Sequence, residues 1–180
     1  MGINGLKIIP MTAPIIQEKH KMTVHYDISI TDDSWENETY LAKIVDKVLS
    51  ATLDRLDFGK LDSELSLVFT NDNEICKINA QWRHIEKPTN VLSFPAFPIS
   101  AGEMPGPMLG DIVVAYETVM REATNENKSF DDHLSHLIVH GLLHLMGYDH
   151  QTDEEAEEME QLEREILHNL GIGDPYAEVK

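Results

Sequence analysis

Three histidines stand close together in the segment HGLLHLMGYDH, residues 140 to 150. His140 and His144 are four residues apart. On a helix that spacing puts both rings on one face, a turn apart, which is how two imidazoles reach a single ion. Gly147 is placed to end such a helix, so the chain can bend and bring His150 back to the same point. Zinc accepts neutral imidazole nitrogen and prefers four ligands, and three protein ligands leave one position for water. That is the pattern of a catalytic ion and not of a closed structural one. Asp149, beside His150, is read as an outer partner that orients an imidazole. His136 lies four residues before His140 and shares its face, but it is read with His133 as a polar residue near the start of the helix.

The residue after His140 is Gly141. In zinc peptidases with the HExxH pattern, that position carries the glutamate that activates water. Here Gly141, Leu142 and Leu143 separate the two histidines, and none is a carboxylate. What remains is an ion that lowers the pKa of bound water and acts as a Lewis acid. Phosphodiester cleavage suits those tools, and it also needs a cation for the charge that develops on the phosphoryl oxygens. Arg83 is the best candidate. It ends the helical stretch NDNEICKINAQWR and precedes the extended VLSFP, and its planar fork can grip phosphate at two points. His84, next to it, is a lesser candidate for moving a proton. Thr89 and Ser93 are read as structural caps.

The elements that must position these groups can be read from apolar periodicity. MTVHYDISI (22–30) alternates, with Val24, Tyr26, Ile28 and Ile30 inward, and reads as a strand. From Ser34, a plausible N-cap, to about Leu56 the spacing is helical. SELSLVFT (63–70) is a second strand, and the helix that follows opens at Asn71 or Asp72 with Glu74 placed for a capping box. VLSFPAFP is extended, and its prolines suit an edge strand. SAGEMPGPML is a Gly/Pro loop, DIVVAY (111–116) a third clear strand, and a short helix follows from Glu117. The long apolar helix runs from about Asp131 to Met146. A last acidic helix covers about Thr152 to Leu170, and its segment TDEEAEEMEQLERE reads as a solvated face. The expectation is α+β: a single domain, a mixed β-sheet with packed helices, and the metal-site helix near the C-terminus. Residues 1–20 are expected as a loose arm, 21–172 as the catalytic domain and 173–180 as a tail.

The chain has 180 residues, enough for one core, and no apolar run approaches the roughly 18 residues of a membrane span. With no trustworthy signal or transit segment, a cytoplasmic protein is expected. Cys76 is the only cysteine, read as a small buried apolar residue. Fourteen Lys and Arg against 32 Asp and Glu give a net charge of −18. The field of the whole molecule therefore opposes a polyanion, and a nucleic-acid substrate would need a local cationic or metal-centred patch.

HGLLHLMGYDH resembles the H-G-x-L-H-L-x-G-Y-D-H signature of the YbeY family of bacterial endoribonucleases, the rRNA maturation factors. INAQWRHIEKPTNVLSFP (78–95) and LGDIVVA (109–115) are similar to two further blocks of that family. The resemblance implies an α+β domain with zinc-peptidase-like topology. It implies metal-dependent, single-strand-specific RNA cleavage that matures the small-subunit rRNA 3′ end and serves ribosome quality control. By position it makes His140, His144 and His150 the ligands of one zinc ion per chain and Arg83 the functional arginine. Single-stranded rRNA is the implied partner, with small-subunit ribosomal proteins as further ones and no membrane. Two rivals stand beside it. One is a zinc metallopeptidase-like hydrolase. The other is an acidic ribosome-assembly factor with a structural zinc.

Overall fold

The computed structural model describes residues 23–59 and 61–177. The elements follow as β1 (Thr23–Ile30), α1 (Glu38–Arg55), β2 (Asp62–Thr70), α2 (Asp72–Arg83), β3 (Val91–Pro95), β4 (Met108–Ala115), α3 (Tyr116–Asn125), α4 (Phe130–Leu145) and α5 (Asp153–Asn169). The expected α+β class is what forms: one mixed sheet of order β1-β2-β4-β3, with helices packed on it. β1, β2 and β4 run parallel, and β3 lies antiparallel on β4 at the edge. Pro95 ends that edge strand opposite Gly110, where a missing N–H breaks no ladder inside the sheet.

Strand alternation sorts the core into two parts. Leu65, Leu67, Phe69, Ile112 and Val114 point into the larger cluster, shared with α1, α4 and α5. Val113 and Ala115, one residue out of phase, join Leu92 and Ile75 of α2 in a smaller cluster on the other face. α4 runs through the larger cluster. Leu134, Ile138, Leu142 and Leu143 are fully buried, so any polar side chain on the helix must find its partner locally or at its ends.

Both ends of α4 are fixed by local chemistry. Ser129 accepts a hydrogen bond from the Asp132 N–H at 3.1 Å. At the other end Tyr148 N–H donates to Leu143 O and Gly147 N–H to His144 O, the paired bonds of a Schellman stop. Gly147 has φ +88°, and a Cβ there would lie 2.6 Å from the Ile99 carbonyl oxygen. Backbone hand and close approach both demand glycine at that point.

Several local expectations shift. α1 starts at Glu38 with Asn37 as its cap, not at Ser34. The turn before it buries Trp35, whose indole N–H donates to Thr70 O at 2.7 Å. Ile30 is exposed, at the end of its strand. Asn71 caps α2 through the Glu74 N–H, but the Glu74 carboxylate turns to Lys77 and Asn73, leaving the box half made. Cys76 is half-buried. The proposed arm, residues 1–20, lies outside the described residues.

Candidate metal centre

His140 and His144 project from α4 into an open cleft, and His150 reaches the same point from the loop after Gly147. One nitrogen from each of the three lies within 4.8 Å of the others. The far nitrogens of the first two rings are already spoken for. His140 Nδ1 lies 2.6 Å from Glu163 Oε1, and His144 Nδ1 lies 3.0 Å from the Tyr148 carbonyl oxygen. A carboxylate and a carbonyl only accept, so both Nδ1 atoms carry the proton. The Nε2 atoms are the ones left toward the cleft, and they lie 3.0 Å apart. Burial, with His140 and His150 beside it, pushes His144 down to about 4, so it stays neutral near pH 7. Tetrahedral zinc with nitrogen bonds near 2.0–2.1 Å would separate its ligand atoms by about 3.3 Å. The residues present fit such an ion.

The outer shell comes from the acidic helix. Glu163 of α5 is 0% exposed. It accepts from His140 Nδ1, from His136 Nε2 at 3.1 Å, and from the Tyr176 hydroxyl. Burial works against its charge, but those hydrogen bonds outweigh it and bring the carboxyl down to about 2. Tyr176 is itself pushed well above the usual phenol range by burial and by Glu163, so it remains a donor. It is held in place by the Arg164 guanidinium, 5.0 Å from its ring centre, and by His136, edge-on at 5.6 Å. Lys128 donates to Pro175 O at 2.7 Å, and Arg164 pairs with Asp174 at 3.4 Å. Residues expected as a tail are thus strapped onto the back of the centre.

Glu163 corrects the reading of the acidic helix as a purely solvated face. The signal was present: Met159, Leu162, Ile166 and Leu167 mark the buried stripe of α5, and Glu163 falls inside it. An acid on an apolar stripe needs a partner. His136 shares the face of His140, as its spacing says, but it serves the carboxylate and lies outside the three-histidine cluster. His133 is buried against Glu122, which also receives Asn90. Asp149 does not orient a ring. Its oxygens take the His150 backbone N–H at 2.8 Å and Gln151 Nε2 at 2.6 Å, which shapes the loop that presents His150.

Gly141 has a packing reason. A Cβ on it would lie 3.1 Å from Ile112 Cδ1 and 3.1 Å from Ser93 Oγ. The sheet fills the space where a peptidase-type glutamate would stand.

The cleft that the histidines line has a volume of about 700 Å³, and its wall also includes Trp82, Arg83, Phe94 and Phe97. Arg83 ends α2, where His84 turns the chain with φ +59°. Among the described residues no carboxylate pairs with Arg83, so its donors are free for a ligand. Ser93 and Thr89 also line the cleft, and His84 does not.

Residues 27–171 match the family model described as Endoribonuclease YbeY. The protein named Endoribonuclease YbeY from Bartonella bacilliformis is 56% identical over 156 residues, covering 87% of this chain and 99% of its own. One of the same name from Agrobacterium fabrum is 59% identical over 156 residues, covering 83% and 93%. The solution structure of TM1509 from Thermotoga maritima shares the fold with a TM-score of 0.51 at 23% identity, covering 84% of this chain and 100% of that one. The family model spans the cleft and the histidine cluster, and with relatives at 56% and 59% identity it shows that the chain belongs to the endoribonuclease YbeY family.

Proposed function

We propose that this protein is a zinc-dependent endoribonuclease that cuts single-stranded RNA, matures the 3′ end of the small-subunit rRNA and serves ribosome quality control in the cytoplasm. Small-subunit ribosomal proteins are the partners that would deliver the RNA. One observation carries the reading. Three convergent histidines line one open cleft together with Arg83, which has no carboxylate partner among the described residues, and no carboxylate stands where a peptidase base would be. The relatives' name, endoribonuclease, supports it.

His140, His144 and His150 would hold one ion. When bound, zinc supplies Lewis acidity and a lowered pKa for water. The chain's own groups do the rest. Glu163 holds the proton on His140 Nδ1 and aims Nε2 into the cleft. The Tyr148 carbonyl does the same for His144. Arg83 donates to the phosphate and stabilises charge as it builds on the phosphoryl oxygens.

The test uses zinc-loaded protein and a single-stranded RNA, with Arg83→Ala and His144→Ala compared after circular dichroism shows each folded. Cleavage by the wild type that both variants lose supports the reading. Cleavage that survives in both places the activity elsewhere. The net charge of −18 keeps one rival in view, an assembly factor that docks on basic ribosomal proteins. That rival predicts association with small-subunit proteins that the same variants retain, without RNA cleavage by any of them.

A further inference from the structure

The cleft is built for something flatter than a phosphate. Trp82 is 65% exposed and Phe97 53% exposed, and both line the wall of the cavity that holds the three histidines. Large aromatic faces left open to water beside a polar centre mark a contact surface. The Trp82 ring is braced from one side by Phe94, at a centroid distance of 5.9 Å and a tilt of 58°, so its position is set by packing while its surface stays accessible. The charges in the same wall are few. Among the described residues that line the cleft, Arg83 is the only Lys or Arg, and Asp149 offsets it. Against a molecular charge of −18, one arginine cannot hold a polyanion by counterion release.

Resting on the nuclease reading above, the geometry points to a base-stacking subsite: Trp82 and Phe97 take unpaired bases of the RNA on their open faces, and stacking supplies most of the binding. Every base has a π-face, so this grip tolerates sequence. A paired base has both faces covered, so the subsite selects unpaired strands. Arg83 and the metal centre then act on the phosphate between bases that are already seated.

The chain carries its own probe. Of its two tryptophans, Trp35 is buried among Phe69, Tyr116 and Phe130, so a ligand in the cleft changes the emission of Trp82. The full-length protein is titrated with a short fluorescent oligoribonucleotide and with the same strand made abasic, with a chelator present so that no cleavage intervenes. The intact strand should quench Trp82, and the abasic strand should bind at least tenfold more weakly. Trp82→Ala and Phe97→Ala should each lose about tenfold in affinity, and Trp82→Tyr should keep most of it. Both positions are exposed, so neither change removes core. The slope of log K against log salt should be near −1, since each phosphate contacted on a single strand contributes roughly −0.7. Equal binding of the abasic strand, unchanged affinity in both alanine variants, or a slope steeper than about −3 overturns the proposal. Cleavage by the zinc-loaded wild type is scored separately. If it is present while stacking fails, only the subsite is wrong. If it is absent while stacking holds, the subsite stands and the nuclease reading falls.

Discussion

His140 is governed by the nitrogen that points away from the cleft. Its Nδ1 proton is fixed by Glu163, and Glu163 is fixed in turn by His136 and Tyr176. Removing the carboxylate's charge should loosen the aim of the ring without removing a ligand. Glu163→Gln is expected to weaken zinc binding by about 10- to 100-fold, read by competition with a chelator. Tyr176→Phe deletes one of three donors to that carboxylate and should give a smaller loss, about threefold, from one hydrogen bond of ordinary strength. Equal affinity in both variants and the wild type would mean that the outer shell is ornamental. Gly141 yields a packing prediction. Gly141→Ala pushes a methyl group to 3.1 Å from Ile112 and Ser93 and should cost about 1–3 kcal/mol, seen as a lower urea midpoint. At this scale the sequence was half legible. The three histidines announce themselves because His140 and His144 share a helix face and His150 follows six residues later, past a helix-ending glycine. Glu163 and His140 are 23 positions apart on different helices, and only the docking of α5 on α4 brings them together.

At the scale of elements, α5 is attached to α4 through a buried carboxylate as well as through apolar packing. The carboxyl of Glu163 is depressed in the folded state to about 2, against an ordinary value of 4.5. A depressed acid favours the folded state above its unfolded pKa, and that contribution is lost as pH falls through the folded pKa. The window is therefore pH 4.5 down to about 2. Metal-free wild type should lose stability across the upper part of that window faster than Glu163→Gln, which has no proton to take up there. Urea midpoints measured at pH 5.5 and at pH 3.5 for both proteins give the difference, and parallel losses would refute it. Most helices and strands were legible from their period, including the edge character of β3 from its prolines. The start of α1 was not, because Ser34 and Asn37 are both good caps. Trp35 decided between them, since its burial against Phe69 ends the preceding turn and leaves the cap to Asn37. Sheet order was not legible either: the parallel strands pair across intervening helices, and nothing local records which neighbour each will find.

Over the whole molecule the charge of −18 dominates. Excess acid repels itself in the compact state, and salt screens that repulsion over a Debye length near 10 Å at 0.1 M. The melting temperature of the metal-free protein should rise by a few degrees between about 0.01 M and 0.3 M sodium chloride, and calorimetry would show it. No change, or a fall, would mean that favourable ion pairs such as Arg55 with Glu165 outweigh the repulsion. The composition disclosed the acidity but not its geography. Acidic residues crowd the outer face of α5, while the cleft wall is nearly neutral and aromatic.

The strap of residues 174–176 also has a consequence in time. Chains are made from the N-terminus, so the sheet and α4 emerge first, then the third histidine, then Glu163, and Tyr176 after them. A growing chain possesses every candidate ligand before it possesses the groups that aim His140. Its centre can be completed only after α5 and the strap have docked. On a ribosome, whose RNA is the kind of substrate proposed here, a growing copy therefore stays unfinished until residues 174–176 have emerged. Chains stalled with residue 150 just emerged should take up zinc more weakly than chains stalled with residue 177 emerged, and equal uptake would remove this built-in delay.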